Sequence, residues 1–220
     1  MVTVTPYIPA QITVHLGPPT ASAANVTVSF ADYVKNVASS EIYPTWEDSA
    51  LVANILAIIS FALNRVYTEF YRSRGYDFDI TSSTAIDQKF INGRNIFENV
   101  GRLVDGLFNT YLRRQGFVEP LAAKFCNGTT VTCDGLSQWG SQELAQQGLS
   151  SVEILRRYYG EDIEIVRNAP LILKRGGTIL FEVGIRQSDD VRKILADAGY
   201  STACIKDDQK IERVVLGKKD

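Results

Sequence analysis

The chain has 220 residues, of which 45% are hydrophobic and 22% are charged, and its formal net charge is −2 at pH 7. This length fits one sizeable domain, or one domain with a small appendage, and the composition predicts a conventional buried core. The balanced charge offers no electrostatic footprint for nucleic acid, and three cysteines are too few for a fold built on disulfides. Composition therefore excludes a basic nucleic-acid-binding domain and a disulfide-built mini-protein.

The N-terminal sequence MVTVTPYIPAQITVHLG has no basic start and no apolar core, so it does not resemble a secretory signal. The most apolar run, from Ala50 to Leu63, is shorter than the ~20 residues of a membrane helix and includes Asn54 and Ser60. We expect a buried core helix at this run and no membrane span.

Two half-buried strands are predicted near the start of the chain. Apolar residues alternate over residues 12–16 and again over 26–28, and a Gly-Pro-Pro turn lies between the two runs. The only histidine, His15, falls on the other side of this alternation, which points it towards solvent or a second layer. A zinc site is not expected, because a single histidine and scattered cysteines do not supply four nitrogen or sulfur ligands in one place.

Three helices should follow these strands. The first begins at Ser29, which has capping-box spacing to the next acidic residue. The second is capped at Thr45 and runs to about Arg72, and its first half is apolar nearly all round, as expected for a helix at the centre of a fold. The third, from about Asn95 to Gln115, is amphipathic along its whole length.

A β-hairpin that turns near Asn127 and Gly128 is predicted between Leu121 and Cys133. A two-residue turn there leaves Cys133 too far along its strand to reach Cys126. A wider loop brings the two cysteines face to face and makes a disulfide feasible. The residues themselves leave both alternatives open.

The stretch from Gly135 to Gly160 combines a glycine-framed turn with two short helices. Ser141 is placed to cap the first helix, and Ser150 and Glu153 have capping-box spacing for the second. Capping and turn signals therefore explain most of this stretch, apart from Gln138 and Trp139 in its turn. A tryptophan in such a turn often contacts a ligand.

Glu41 is the strongest catalytic candidate, because it lies in a connection between two helices with Tyr43 and Trp46 close by. Beside aromatic and apolar groups the charged form of a carboxylic acid is disfavoured, which suits it to donating a proton to a glycosidic oxygen. A solvated loop glutamate is the alternative interpretation.

The chain changes character near Asn168-Ala169-Pro170, which divides it into a domain of residues 1–168 and a C-terminal segment of residues 169–220. In the segment, LKRGGTILFEVG predicts a turn and a strand, SDDVRKILADAGY a Ser-capped helix, and IERVVLG a last strand. About fifty residues are too few for a robust core alone, so this segment should pack on another surface. The whole chain is predicted to be an α+β protein with a buried central helix, amphipathic helices and antiparallel hairpins.

In collinear order, residues 12–166 resemble the stage II sporulation protein D (SpoIID)-like family of cell-wall glycan-cleaving enzymes. The matching stretches are YVKNVASSEIYPTW with the Ala-rich helix after it, YDFDIT at 76–81, the Gln-x-x-x-Gly position at 87–93, and residues 135–160, the most specific of the four. The resemblance implies a peptidoglycan glycan strand as substrate and makes Glu41 the catalytic acid, and no cofactor is expected. Some members of the family carry His/Cys metal ligands after the Tyr-Asp segment, but residues 81–86 offer none here, so no metal is expected.

The reaction that this resemblance implies is that of a lytic transglycosylase. One glutamate protonates the glycosidic oxygen and then, as a carboxylate, takes a proton from the sugar's own 6-hydroxyl. A hydrolase would need a second carboxyl group about 5–5.5 Å or about 6.5–9.5 Å away, depending on its stereochemistry. The candidates for that role are Asp77, Asp79, Asp87 and Asp134.

Under the same resemblance, the substrate-binding residues are Trp46, Tyr76, Gln138 and Trp139, whose aromatic members offer flat faces to sugars. Each aromatic residue is equally explained as part of a core. The family acts in the oxidising space of the cell wall, which favours the Cys126–Cys133 disulfide and an extracellular location. The oligomeric state is not specified.

Two departures qualify this interpretation. Ile59 stands where the family usually has an arginine, which favours an alternative function as a non-catalytic peptidoglycan-binding or structural module. Residues 171–218 resemble the C-terminal end of release-factor glutamine methyltransferases, yet the chain lacks that family's glycine-rich loop and Asn-Pro-Pro-Tyr motif. We therefore expect a fused fragment without methyltransferase activity.

Overall fold

The computed structural model describes residues 6–167, 177–182, 188–197, 199–208 and 210–219. It confirms a mixed α+β protein. Cα atoms lie close together mainly within two compact units, Met1–Arg167 and Asn168–Asp220, into which the chain therefore divides. The predicted boundary at Asn168-Ala169-Pro170 itself lies outside the described residues.

The first unit has five α-helices and seven strands among its described residues. The helices are α1 (Phe30–Glu41), α2 (Asp48–Tyr67), α3 (Glu98–Leu107), α4 (Gln138–Gln146) and α5 (Ser151–Tyr159). The strands are β1 (Gln11–His15), β2 (Asn25–Ser29), β3 (Ile80–Thr81), β4 (Thr110–Arg114), β5 (Phe125–Cys126), β6 (Leu136–Ser137) and β7 (Ile163–Arg167). β1 pairs antiparallel with β2 and parallel with β3, β4 pairs antiparallel with β7, and β5 pairs parallel with β6.

Helix α2 lies at the centre of this unit, in contact with the other four helices and with β3 and β4. Its apolar composition explains this position, because a helix that is hydrophobic all round is stable only when it is covered on all sides. The segment Asp48–Arg74 is long and apolar enough to cross a membrane, and 78% of its most apolar window is buried inside the protein. The prediction of a buried core helix is therefore confirmed.

The polar residues of α2 connect it to its neighbours. Asn54 Nδ2 donates to Ser141 Oγ at 2.7 Å, which connects α2 to α4. Ser60 Oγ accepts from the backbone N–H of Leu112 in β4 at 2.8 Å and donates to the helix itself. Both of these buried side chains are thereby hydrogen-bonded, which avoids the cost of desolvating an unpaired polar group.

The predicted helix over residues 95–115 is wrong in its second half. The helix ends at Leu107, and residues 110–114 form strand β4, which pairs in register from Thr110↔Arg167 to Arg114↔Ile163. Their apolar spacing fits a helix, but a strand partner some fifty residues away provides the backbone hydrogen bonds instead. Tertiary pairing overrides local periodicity here.

The predicted hairpin between residues 121 and 133 is also wrong. Phe125–Cys126 pairs parallel with Leu136–Ser137, and the residues between them form a loop rather than two antiparallel strands. The wider of the two alternatives therefore applies, and Cys126 and Cys133 are joined by a disulfide with their Cα atoms 6.1 Å apart.

Two local predictions need correction, and a third, which left two alternatives open, is decided by the structure. Helix α4 is capped by Ser137 rather than Ser141, because the Ser137 hydroxyl accepts from the N–H of Gly140 at 3.0 Å. The N-cap of α2 is Glu47, not Thr45, and its side chain makes no capping hydrogen bond. For His15, predicted to point towards solvent or a second layer, the second alternative applies, since its side chain is buried and stacks on Phe78 at 4.7 Å.

Among its described residues, the second unit has a three-stranded antiparallel sheet and one helix. Its elements are β8 (Thr178–Glu182), α6 (Ser188–Asp197), β9 (Tyr200–Lys206) and β10 (Glu212–Lys219), and the strand order is β8-β10-β9. Leu195, Tyr200 and Val215 form its small core. The sequence did not predict β9, and the turn predicted at 173–177 lies outside the described residues except for Gly177.

A Ser60→Ala substitution tests the connection between α2 and β4. Because it leaves the buried N–H of Leu112 without an acceptor, we expect the free energy of unfolding to fall by about 1–3 kcal/mol in chemical denaturation. Ser73→Ala, at an exposed position, is the matched control and should stay near wild type. Equal stability of the two variants would contradict this role for Ser60.

Candidate active site

A cleft of about 810 Å³ opens on the first unit. It is lined by the C-terminal end of α1, the connection that follows it, residues from 84–97, the loop after β5 and the first turn of α4. Four of the residues predicted from the sequence meet there, namely Glu41, Trp46, Gln138 and Trp139. They come from two regions almost one hundred residues apart in the chain.

Glu41 is the last residue of α1, and both of its carboxylate oxygens accept hydrogen bonds. Oε1 accepts from the backbone N–H of Lys89 at 2.8 Å, and Oε2 accepts from Gln138 Nε2 at 3.3 Å. The second distance is at the long end for an N–H···O bond, so Oε2 is the less tightly held oxygen.

Three aromatic rings form one wall of the cleft. Trp46 lies 5.8 Å from Tyr43 and 5.1 Å from Trp139, between ring centroids, and Tyr43 lies 5.7 Å from Trp139. Trp46 is only 8% exposed and supports the other two, whereas Trp139 is 36% and Tyr43 56% exposed. Tyr43 is therefore the most exposed of the three rings, although the sequence predicted only Trp46 and Trp139 as substrate-binding residues.

Tyr76 does not line this cleft. Its ring contacts Tyr71 at 5.9 Å and Phe78 at 5.0 Å, in an aromatic cluster that also includes His15. The local sequence gives no sign of this separation, because it depends on the parallel pairing of β3 with β1.

The position of Lys89 opposite Glu41 is fixed by hydrogen bonds on both sides of it. Asn36 in α1 clamps Ile91, since its side chain donates to the Ile91 carbonyl at 2.8 Å and accepts from the Ile91 N–H at 2.9 Å. Gln88 is fully buried and accepts from the Tyr33 hydroxyl at 2.9 Å. Burial of Tyr33, followed by the nearby negative charges, raises the pKa of its phenol.

Asp87 anchors the start of the same segment. Its fully buried carboxylate accepts from Arg65 Nε at 2.9 Å, from the Tyr71 hydroxyl at 2.6 Å, and from the N–H and hydroxyl of Thr81 at 3.0 and 2.7 Å. The Arg65 guanidinium lies over the Phe70 ring at 3.7 Å. Burial, and then the hydrogen bond to Asp87, raises the pKa of Tyr71.

Glu41 is the one carboxylate lining the cleft that has no ion-pair partner, within the described part of the chain. Asp87 also lines the cleft, but its oxygens are occupied by the donors described above. Asp77 accepts from Asn25 at 2.7 Å and Asp79 from Arg72 at 2.9 Å, and neither lines the cleft. Asp134 is exposed and also lies outside the lining.

The disulfide loop forms part of the cleft lining. Cys126, Asn127 and Val131 line the cleft, and the Asn127 carbonyl accepts from the Trp139 N–H at 3.2 Å. An added Cβ at Gly140 would lie 2.3 Å from the Tyr158 hydroxyl and 2.9 Å from Ser137 Oγ, so a larger residue there would displace these side chains. The hydrogen bond from the Trp139 N–H ties the first turn of α4 to the disulfide loop.

No protein-family model matches the chain, and no curated protein matches its sequence. Among the described residues, no group of three or more His, Cys, Asp or Glu side chains is arranged to hold a metal ion. The function is therefore inferred from the cleft itself together with the resemblance in the sequence.

Asn36→Ala tests the clamp on the segment opposite Glu41. Because both hydrogen bonds to Ile91 are lost, we expect amide hydrogen exchange at Lys89 and Ile91 to become at least about tenfold faster. The exposed Asn95→Ala is the control and should leave these two amides unchanged. Wild-type protection in Asn36→Ala would show that other contacts hold the segment.

Tyr71→Phe tests the Asp87 network through pH. The fold raises the pKa of Tyr71 above the unfolded value of about 10, so it favours the neutral phenol. The stability due to Tyr71 is then complete below about pH 10 and is lost as the pH rises through the folded value. The free energy of unfolding should fall less steeply above about pH 10 in Tyr71→Phe than in wild type. An unchanged slope, equal to that of the exposed control Tyr7→Phe, would contradict this role.

Proposed function

We propose that the first unit cleaves the glycan strands of peptidoglycan as a lytic transglycosylase of the SpoIID-like type, in remodelling of the cell wall or spore wall. The observation that supports this most is the position of Glu41, which is the cleft carboxylate left without an ion-pair partner among the described residues and lies beside accessible aromatic rings. A lytic transglycosylase needs one such carboxyl group, whereas retaining and inverting hydrolases use two.

In the proposed reaction, the protonated Glu41 carboxyl donates its proton to the glycosidic oxygen, and the bond from that oxygen to the anomeric carbon breaks. Glu41, now a carboxylate, takes the proton of the sugar's 6-hydroxyl, and the 6-oxygen bonds to the anomeric carbon. The carboxyl group ends as it began, and the product sugar closes an internal anhydro ring. No water is consumed, so atoms and charges balance without a second carboxylate.

Neighbouring residues support the two roles of Glu41. The Lys89 N–H donates to Oε1 and fixes the orientation of the carboxyl group, while the longer contact to Gln138 leaves Oε2 for the transferred proton. Tyr43 and Trp139 offer exposed aromatic faces on which sugar rings stack. General acid–base catalysis by a positioned carboxyl group contributes about 10²–10⁴ in rate.

The alternative function is a peptidoglycan-binding or structural module without turnover. It is favoured by the two hydrogen bonds that Glu41 accepts, since a carboxylate that merely fastens the 87–91 segment to α4 would make the same contacts. Ile59, where an arginine is expected, is fully buried in α2 and supplies no charge to the cleft. A module of this kind would sediment with purified sacculi without releasing anhydro-sugar products.

We assign no part in this chemistry to the second unit. The sequence resemblance there is to the end of a methyltransferase domain, and the chain has neither the glycine-rich loop nor the Asn-Pro-Pro-Tyr motif of that family. Methyl transfer is therefore not proposed.

Glu41→Gln separates the two functions. The new amide oxygen can still accept from the Lys89 N–H, so the fold should be retained, but the side chain no longer donates and takes back a proton. We expect the release of anhydro-sugar products from purified peptidoglycan to fall about 10²-fold to 10⁴-fold, with binding to sacculi preserved. Product analysis by mass spectrometry measures the first quantity and co-sedimentation the second.

The matched control is Glu143→Gln, an exposed glutamate on α4 that does not line the cleft. It should release products at the wild-type rate. Wild-type activity in Glu41→Gln would refute catalysis by Glu41, and sacculus binding without product release in the wild-type protein would favour the non-catalytic module.

A further inference from the structure

The connection between α1 and α2, residues 42–47, carries two of the three aromatic rings of the cleft wall. Tyr43 is the most exposed of these rings, so packing holds little of its surface. Pro44 restricts the backbone of Tyr43 to extended conformations, and the Trp46 N–H closes a turn by donating to the Tyr43 carbonyl at 3.1 Å. The position of the exposed ring therefore depends on the contacts that hold this turn against the rest of the first unit.

One face of helix α4 holds both ends of the connection. Gln138 Nε2 donates to Glu41 Oε2 at 3.3 Å, and Gln142 Oε1 accepts from the Glu47 N–H at 2.9 Å. The two glutamines are four residues apart, which places them on the same face of a helix. Gln142 is buried and does not line the cleft, so it holds the start of α2 from behind the aromatic wall.

Helix α3 holds the middle of the connection. Asn99 Nδ2 donates to the Pro44 carbonyl at 2.7 Å. A carbonyl oxygen only accepts hydrogen bonds, so the amide nitrogen is the side-chain atom that this contact requires. Asn99 is half-buried and lies outside the cleft lining, and its partner Pro44 directly follows Tyr43. Two residues from two different helices therefore fix the connection without contacting the cleft.

We infer that Asn99 and Gln142 are positioning residues, which hold the aromatic wall in the arrangement that binds the sugar rings of the substrate. Neither contacts Glu41, so their loss weakens the binding of glycan strands and leaves proton transfer unchanged. This inference rests on the proposed function, because it takes Tyr43 and Trp139 to stack on sugars. It adds to that function the residues that set the affinity for the glycan.

The test measures the rate of anhydro-sugar release against the concentration of soluble glycan strands prepared from purified peptidoglycan. Asn99→Leu removes the amide donor and Gln142→Met removes the amide oxygen, and each new side chain is similar in size to the one it replaces. A lost hydrogen bond changes an equilibrium constant by about 3-fold to 10-fold. We therefore expect KM to rise by about 3-fold to 10-fold in each variant, with kcat within about 2-fold of wild type, because only uniform binding is lost.

Asn95→Leu and Gln146→Met are the matched controls. Both residues are exposed and lie outside the cleft lining, so these variants should keep the wild-type KM. A Tyr43→Ala background shows whether the effect acts through the aromatic wall. In that background Asn99→Leu should raise KM little further, since the ring that it positions is already absent, whereas independent effects would add.

An unchanged KM in both variants would overturn this inference and leave the proposed function standing. A fall in kcat as large as the rise in KM, or full additivity with Tyr43→Ala, would also overturn it. Amide hydrogen exchange at Leu155, buried in α5, should stay as slow as in wild type, and faster exchange would assign the loss to the fold and overturn the positioning role. Absence of anhydro-sugar products from the wild-type protein would refute the proposed function, and this inference with it.

Discussion

The buried carboxylate of Asp87 is the constraint on which the geometry of the cleft depends. A charge without access to water is costly unless it is paired and hydrogen-bonded, and breaking such a pair costs several kcal/mol, about 3–5 in measured cases. Asp87 meets this requirement with donors from Arg65 near the end of α2, from Tyr71 in the turn that follows, and from Thr81 in β3. One side chain therefore connects three parts of the chain to the start of the segment, and the hydrogen bonds between Asn36 and Ile91 place that segment against α1.

That placement has two consequences for chemistry. It brings the Lys89 N–H to Glu41, with Asn36 and Gln88 holding the backbone on either side, so the carboxyl group is oriented by a rigid part of the protein. It also engages both carboxylate oxygens of Asp87, the other acidic residue that lines the cleft, in hydrogen bonds. The same network that positions Glu41 thus leaves it to act alone, which is why a mechanism with a single carboxyl group fits this cleft better than hydrolysis.

Much of the fold was predicted from short stretches of sequence. Capping residues and apolar periodicity determine where a helix begins and which face it buries through contacts within one or two helical turns, so they can be read without knowing the tertiary structure. The central helix and the capping box at Ser150 were predicted for this reason. Strand β4 was missed because residues 110–114 fit helical spacing and their partner strand lies some fifty residues away. In the cleft, Glu41 and Trp139 were predicted from their local sequence and from the motif resemblance. The contact from the Lys89 N–H was not predicted, because every residue other than proline has a backbone N–H and the residue type gives no sign of where it points. Tyr76 was misplaced in the cleft because its position depends on strand pairing.

The claim that Glu41 cleaves glycan strands without water is tested most directly by digesting purified peptidoglycan in water labelled with heavy oxygen and weighing the products. The account predicts fragments that end in an anhydro ring, each lighter by one water molecule than a hydrolytic product and free of the heavy isotope. Fragments with heavy oxygen at their new reducing ends would contradict it, and so would strands that remain intact.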